Sequence, residues 1–223
     1  MEDIELKNIW QSYDRKIAEA QVLNRQSWVL NLHCFENLQQ QKAERKLRSL
    51  VRFKAWAVVL GIVFILFLGV LVFSSFSKNP FFSVSMGAIA LFSLYAVVVY
   101  VQHIILIGQI RYDGSITETQ QKLARLQSST LRSTRIMWLQ MPFYSTWFWS
   151  SAWIGSDAKF WLIAFPISLL FTLLSIYLYR NINLRNIHKK WVKALLMAGP
   201  EYKNIVMAME FMKEIEDFKK DLL

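Results

Sequence analysis

Two patterns alternate along this chain: unbroken apolar blocks, and polar stretches in which large apolar residues return every three or four positions. The first block runs from Ala55 to Phe76 and holds no ionisable residue. At about 1.5 Å per residue, such a block is long enough to cross a hydrocarbon core of roughly 30 Å. A short polar break, Ser77 to Pro80, separates it from a second block, Phe81 to about Gly108, interrupted only by serines, Gln102 and His103. The pair predicts a helical hairpin with almost no external loop. A third block, Ile136 to Ile154, carries Gln140, Pro142, Ser145, Thr146, Ser150 and Ser151 among its aromatics, and reads either as a span or as an interfacial or re-entrant segment. The fourth, Phe160 to Tyr179, is free of charge, with Pro166 as its only helix-breaking residue, and is expected to span.

The polar stretches also read as helices. Leu6, Trp10, Tyr13, Ile17 and Ala20 make one stripe, which resumes at Trp28, Leu32, Phe35 and Leu38. No Gly or Pro precedes Gly61, so a helix can run from here into the first span, with Asn24 as its softest point. In the central stretch Asp113-Gly114 marks a turn, and Ser115 three residues before Glu118 has capping-box spacing for a helix through Leu123 and Leu126. Gly199-Pro200 ends one tail helix and starts another, striped by Tyr202, Ile205, Met209, Met212, Ile215, Phe218 and Leu222. Its other face sets Glu210 against Lys213 and Glu216 against Lys220 at helix-pairing distance.

Charge turns these elements into a topology. Basic residues number ten up to Lys54, five from Arg111 to Arg135 and nine from Arg180 onward, against one in each of the breaks at Ser77 to Pro80 and Gly155 to Lys159. Loops rich in Lys and Arg stay in the cytoplasm, and all three basic segments can do so only if the Ile136 block crosses. The expectation is therefore an all-α membrane protein of the cell (inner) membrane with four transmembrane helices and both termini cytoplasmic. Residues 1–54 form a cytoplasmic helical segment, 55–108 a first hairpin, 109–135 a cytoplasmic linker helix, 136–180 a second hairpin and 181–223 cytoplasmic tail helices. The first 50 residues hold no apolar stretch followed by a small-residue cleavage site, so the first span is expected to act as its own insertion signal.

The net charge of +10 sits beside apolar spans, which points to anionic lipid headgroups as counter-charge and not to nucleic acid. Arg45, Lys46, Arg48, Arg52 and Lys54 before the first span, with Arg180, Arg185, Lys189 and Lys190 after the last, are the candidate lipid contacts. Absent Asp, Glu, Lys and Arg in the blocks disfavour a coupled transporter, which needs ionisable groups at depth. His103 reads as a structural or interfacial histidine. His33, His103 and His188 are isolated, the single Cys34 excludes an intrachain disulfide, and no phosphate loop, nucleophile elbow or metal motif occurs. A non-enzymatic protein without cofactor is expected. Trp138, Phe143, Tyr144, Trp147 and their neighbours read as interface anchors and packing groups, and Ser83 with Gly87 as one small-residue pair for close helix approach.

The run Glu5 to Ile17, followed by Leu23-Asn24 and by Lys-Leu-Arg-Ser-Leu from Lys46, resembles a group of small bacterial multi-pass membrane proteins that open with a Leu-Lys-x-x-Trp helix. The resemblance covers the first quarter of the chain and, beyond it, only the hydropathy; it implies an anti-sigma-like role and assigns no active-site residue. Two functional classes follow. One is a regulatory or scaffolding protein that holds a partner through cytoplasmic helices, with Leu6, Trp10, Tyr13 and Ile17 as its contact face and a homo-oligomer as an alternative cover for that face. The other is a pore, lipid-handling or transport component built on the four-helix bundle.

Overall fold

The computed structural model describes residues 2–76, 78–110, 116–150, 153–154, 158, 160–187 and 189–220, and these contain helices and turns but no strand. Helix α1 runs unbroken from Glu2 to Ser75, and the lack of Gly and Pro before Gly61 lets it pass straight through Asn24. It turns at Asn79, whose side chain accepts from the backbone N–H of Phe81 and Phe82, into α2, Pro80–Gly108. Pro80 stands in the first turn, where a missing N–H costs nothing. Helix α3 spans Ile116–Met137 and passes through a 3-10 turn, Trp138–Gln140, into α4, Met141–Thr146. A π-turn, Phe160–Ala164, leads into α5, Phe165–Asn181. After a 3-10 turn at Leu184–Asn186 come α6, Lys190–Ala198, and α7, Pro200–Lys220, divided by extended Gly199 as the Gly-Pro pair predicts. The Asp113-Gly114 turn and the Ser115 cap lie outside the described residues.

Among the described residues three helices are long and apolar enough to cross a membrane: Tyr13–Ser75, Pro80–Gly108 and Phe160–Asn181. Leu66, Phe73, Leu91, Leu162 and Leu170 on them point outward, an apolar mantle that water does not tolerate at this extent and a bilayer does. The Ile136 to Ile154 block is not one helix. It comprises the end of α3, the 3-10 turn, α4 and a turn at 147–148. Pro142 has no N–H to offer the carbonyl of Trp138, one turn back, which accepts from the Met141 N–H and from Ser175 Oγ on α5 at 2.9 Å. Ser145 and Thr146 hydroxyls donate to the Pro142 carbonyl, and Ser168 Oγ donates to that of Ser145. The polar residues that make this block ambiguous in sequence thus satisfy its broken backbone.

Pairings show how the segments lie. Alongside α2, Lys122 Nζ meets the Gln109 carbonyl, His103 meets Ser129, Phe92 meets Phe143, Ser85 meets Thr146, and Asn79 donates to the Trp149 carbonyl. The segment 122–149 therefore accompanies α2 antiparallel from one end to the other. Helix α5 retraces the same path, with Tyr179 at Arg135, Ser175 at Trp138, Ser168 at Ser145 and Phe160 at Trp149. Between α1 and α2 the close approach comes at Gly61, where a Cβ would lie 2.7 Å from Val97 Cγ2. Gly87 meets nothing within 4 Å, so the Ser83 and Gly87 pair does not make this contact.

At the end of the bundle away from Asn79, the polar helices share a core. Ala43, Leu47 and Leu50 of α1, Leu123 and Leu126 of α3, and Ile205, Ala208, Met212 and Ile215 of α7 are buried together with Ile107 and Ile110. Helix α7 lies antiparallel on α1, with Phe35 against Phe218, Gln39 bonded to Glu214 and Lys54 to Glu201. A second cluster joins Leu131, Leu178, Ile182, Val192, Leu196 and Tyr202 and fastens α6 beneath α5.

Candidate functional site

Two places combine exposed or buried chemistry in a way packing alone does not explain. The first is the N-terminal half of α1. From Phe35 onward one face of α1 is covered by α7, but before it, among the described residues, no element lies alongside. Trp10 is 65% exposed, Tyr13 60% and Ile17 53%, and Val22, Leu23, Trp28 and Leu30 are exposed as well. Of the four sequence-assigned contact residues, these three share one uncovered stripe, while the Leu6 side chain lies outside the described residues. Lys16 Nζ sits 6.0 Å from the Tyr13 ring centroid, an i,i+3 contact that leaves the ring open to a partner.

The second place is the junction of α1, α2 and α7. Gly199-Pro200 starts α7 so that Glu201 falls in its first turn, where a carboxylate is favoured by the unpaired backbone N–H groups. Its Oε2 accepts from Lys54 Nζ at 2.7 Å and its Oε1 from Tyr100 OH at 2.5 Å, while Lys54 also stands 4.0 Å from the Tyr100 ring centroid. Lys54 is fully buried, so it is not a headgroup contact as its place beside the span suggests; Glu201, 147 residues on, takes that role of counter-charge. The remaining basic residues are differently placed: Arg45, Arg52, Arg180, Arg185, Lys189 and Lys190 are exposed, Lys46 is half-buried and Arg48 bonds Glu44 one turn away.

Beside Glu201 opens a cavity of about 500 Å³, walled by Phe53, Tyr100, Trp138, Met141 and Tyr144 and by the α6–α7 junction. Two buried polar atoms on its wall have no partner, Thr130 Oγ1 and Gln140 Oε1. Tyr202 closes one side, its hydroxyl accepting from Gln127 Nε2 at 2.8 Å. His103 is buried and bonded through Nε2 to Ser129 at 2.7 Å, with Nδ1 unpartnered. Among the described residues no three His, Cys, Asp or Glu side chains lie close enough to hold a metal ion. In the sequence Glu201 is marked by one signal: it is the first acid after Asp157, in a strongly basic stretch. Comparison with protein families, with curated proteins and with solved structures yields no match to this chain.

Proposed function

We propose that the chain is a non-enzymatic, membrane-anchored regulatory or scaffolding protein whose N-terminal helix captures a protein partner in the cytoplasm. The observation that carries this reading is the contrast along α1: one half fastened to α7 and the bundle, the other presenting Trp10, Tyr13 and Ile17 uncovered. Large amphipathic rings at helix-contact spacing are the side chains that anchor a helix in a partner's groove. In this reading four segments cross the inner membrane and both termini are cytoplasmic. The basic counts support it, and so does the path of 122–149, which keeps pace with α2 over its full length. The resemblance of the first quarter to anti-sigma-like membrane proteins points the same way. The test is capture from solubilised membranes by the wild-type chain and by Trp10→Ala/Tyr13→Ala. The expected result is about a 30-fold loss of partner affinity, the equivalent of about 2 kcal/mol, at an unchanged melting temperature. Full capture by the folded variant removes the proposal.

A second reading, a lipid-handling bundle, draws on the cavity beside Glu201, whose apolar wall and unpartnered Thr130 and Gln140 suit an amphiphile. Filling it with Ala96→Phe separates the two, since partner capture then survives while any lipid-dependent activity fails.

A further inference from the structure

Between α3 and the turn after α5 lies an open groove of about 750 Å³. Arg125 and Arg132 stand two helical turns apart on α3, Arg135 follows one turn later, and Arg185 closes the groove from the 3-10 turn. Among the described residues no acid lines it and no carboxylate lies within ion-pair distance of any of the four. Arg135 is held instead against the Tyr179 ring, 4.1 Å from its centroid, while Arg125, Arg132 and Arg185 are exposed. Four guanidinium groups around one concavity repel one another until an anion enters, and each offers a planar fork of donors matched to phosphate oxygens. Leu131 and Ile182, both buried, supply apolar wall beside them.

The geometry points to a binding site for a phosphate-bearing, net-negative lipid headgroup. The position selects a lipid over a soluble phosphate: the apolar stretch of α5 ends at Tyr179, level with Arg135, so the groove opens where a span gives way to headgroups. The apolar wall then meets the first methylenes of the chains while the arginines meet the phosphate. The site is separate from the N-terminal helix and does not depend on partner capture.

The full chain in mild detergent, titrated with dioleoylphosphatidylglycerol and followed by native mass spectrometry, tests this directly. A saturable adduct is expected, at least tenfold tighter than with dioleoylphosphatidylcholine, whose headgroup is neutral overall. Arg125→Gln, Arg132→Gln and Arg185→Gln should each weaken it about fivefold, and Arg25→Gln, an exposed cation far along α1, should leave it unchanged. Exposed substitutions of this kind leave the fold intact, which thermal unfolding checks. Equal weakening by Arg25→Gln would mean bulk surface charge, non-saturating adducts would mean annular lipid, and displacement by equimolar inorganic phosphate would mean that phosphate alone is the ligand. Any of the three overturns the proposal.

Discussion

Lys54 and Glu201 carry the clearest expectations for single residues. Removing one member of a buried pair strands the other charge, so Lys54→Met should cost about 3–5 kcal/mol in equilibrium unfolding, while Lys54→Met with Glu201→Met should recover most of the loss. A double variant no better than the single one would show that the Tyr100 hydroxyl, left without its acceptor, matters as much as the charge. A second expectation concerns pH. Glu216 is held below the usual carboxylate range first by the hydrogen bond from Lys220, 2.6 Å away, and then by that from Gln120 at 2.9 Å on α3. A folded-state value lowered in this way stabilises the fold above the ordinary value of 4.5, and that contribution is lost as pH falls from there through the lowered value. Protection of the amides in residues 116–122, taken relative to the intrinsic exchange rate at each pH, should fall over that acid window, and only modestly, because Glu216 is open to solvent and screened by salt. Protection that stays constant across the window would detach Glu216 from the α3–α7 contact.

Among the helices, the two hairpins were legible to different degrees, for reasons that lie in particular residues. Charge-free blocks bounded by Asn79-Pro80 give α1 and α2 their ends directly, because an Asn cap and a first-turn Pro act locally. The block around Pro142 is ambiguous in sequence, because Ser145 donates to a carbonyl on its own turn and the block's Trp138 and Ser145 carbonyls accept from serines of α5, a relation invisible without the neighbour. Ser175→Ala tests that account: it leaves the Trp138 carbonyl short of one donor and should cost about 0.6 kcal/mol, the usual scale for such bonds in membrane bundles. Gly61 does not stand out from Ser83 and Gly87 in the sequence, since small residues are common in spans and only a facing side chain tells which one matters. Val97 is β-branched and stiff, so Gly61→Leu should cost about 1–3 kcal/mol by forcing α1 from α2, whereas Gly87→Leu should be neutral. Glu201 escaped because the pair it makes spans 147 residues, beyond any local pattern.

For the molecule as a whole, the uncovered stripe on α1 is where the proposed partner and a second copy of the chain would compete. If the stripe is kept for a partner, mass measurement in detergent should show a monomer with fast exchange in residues 13–30; a dimer with slow exchange there would assign the stripe to a second copy instead. Residues 205–215, which include fully buried Ile205, Ala208 and Ile215, should exchange slowly in either case. The unbroken course of α1 carries a mechanical consequence too. From Lys54 to Trp10 a continuous helix measures roughly 65 Å, and from Phe35 the last roughly 40 Å stand clear of the other described helices. A partner seated on Trp10, as proposed, would then be held at a fixed standoff from the bundle, as at the end of a boom. Because the rod has no hinge, a tilt of α1 at Gly61 of about ten degrees would swing that end by about 13 Å, and small movements within the bundle would reach such a partner magnified.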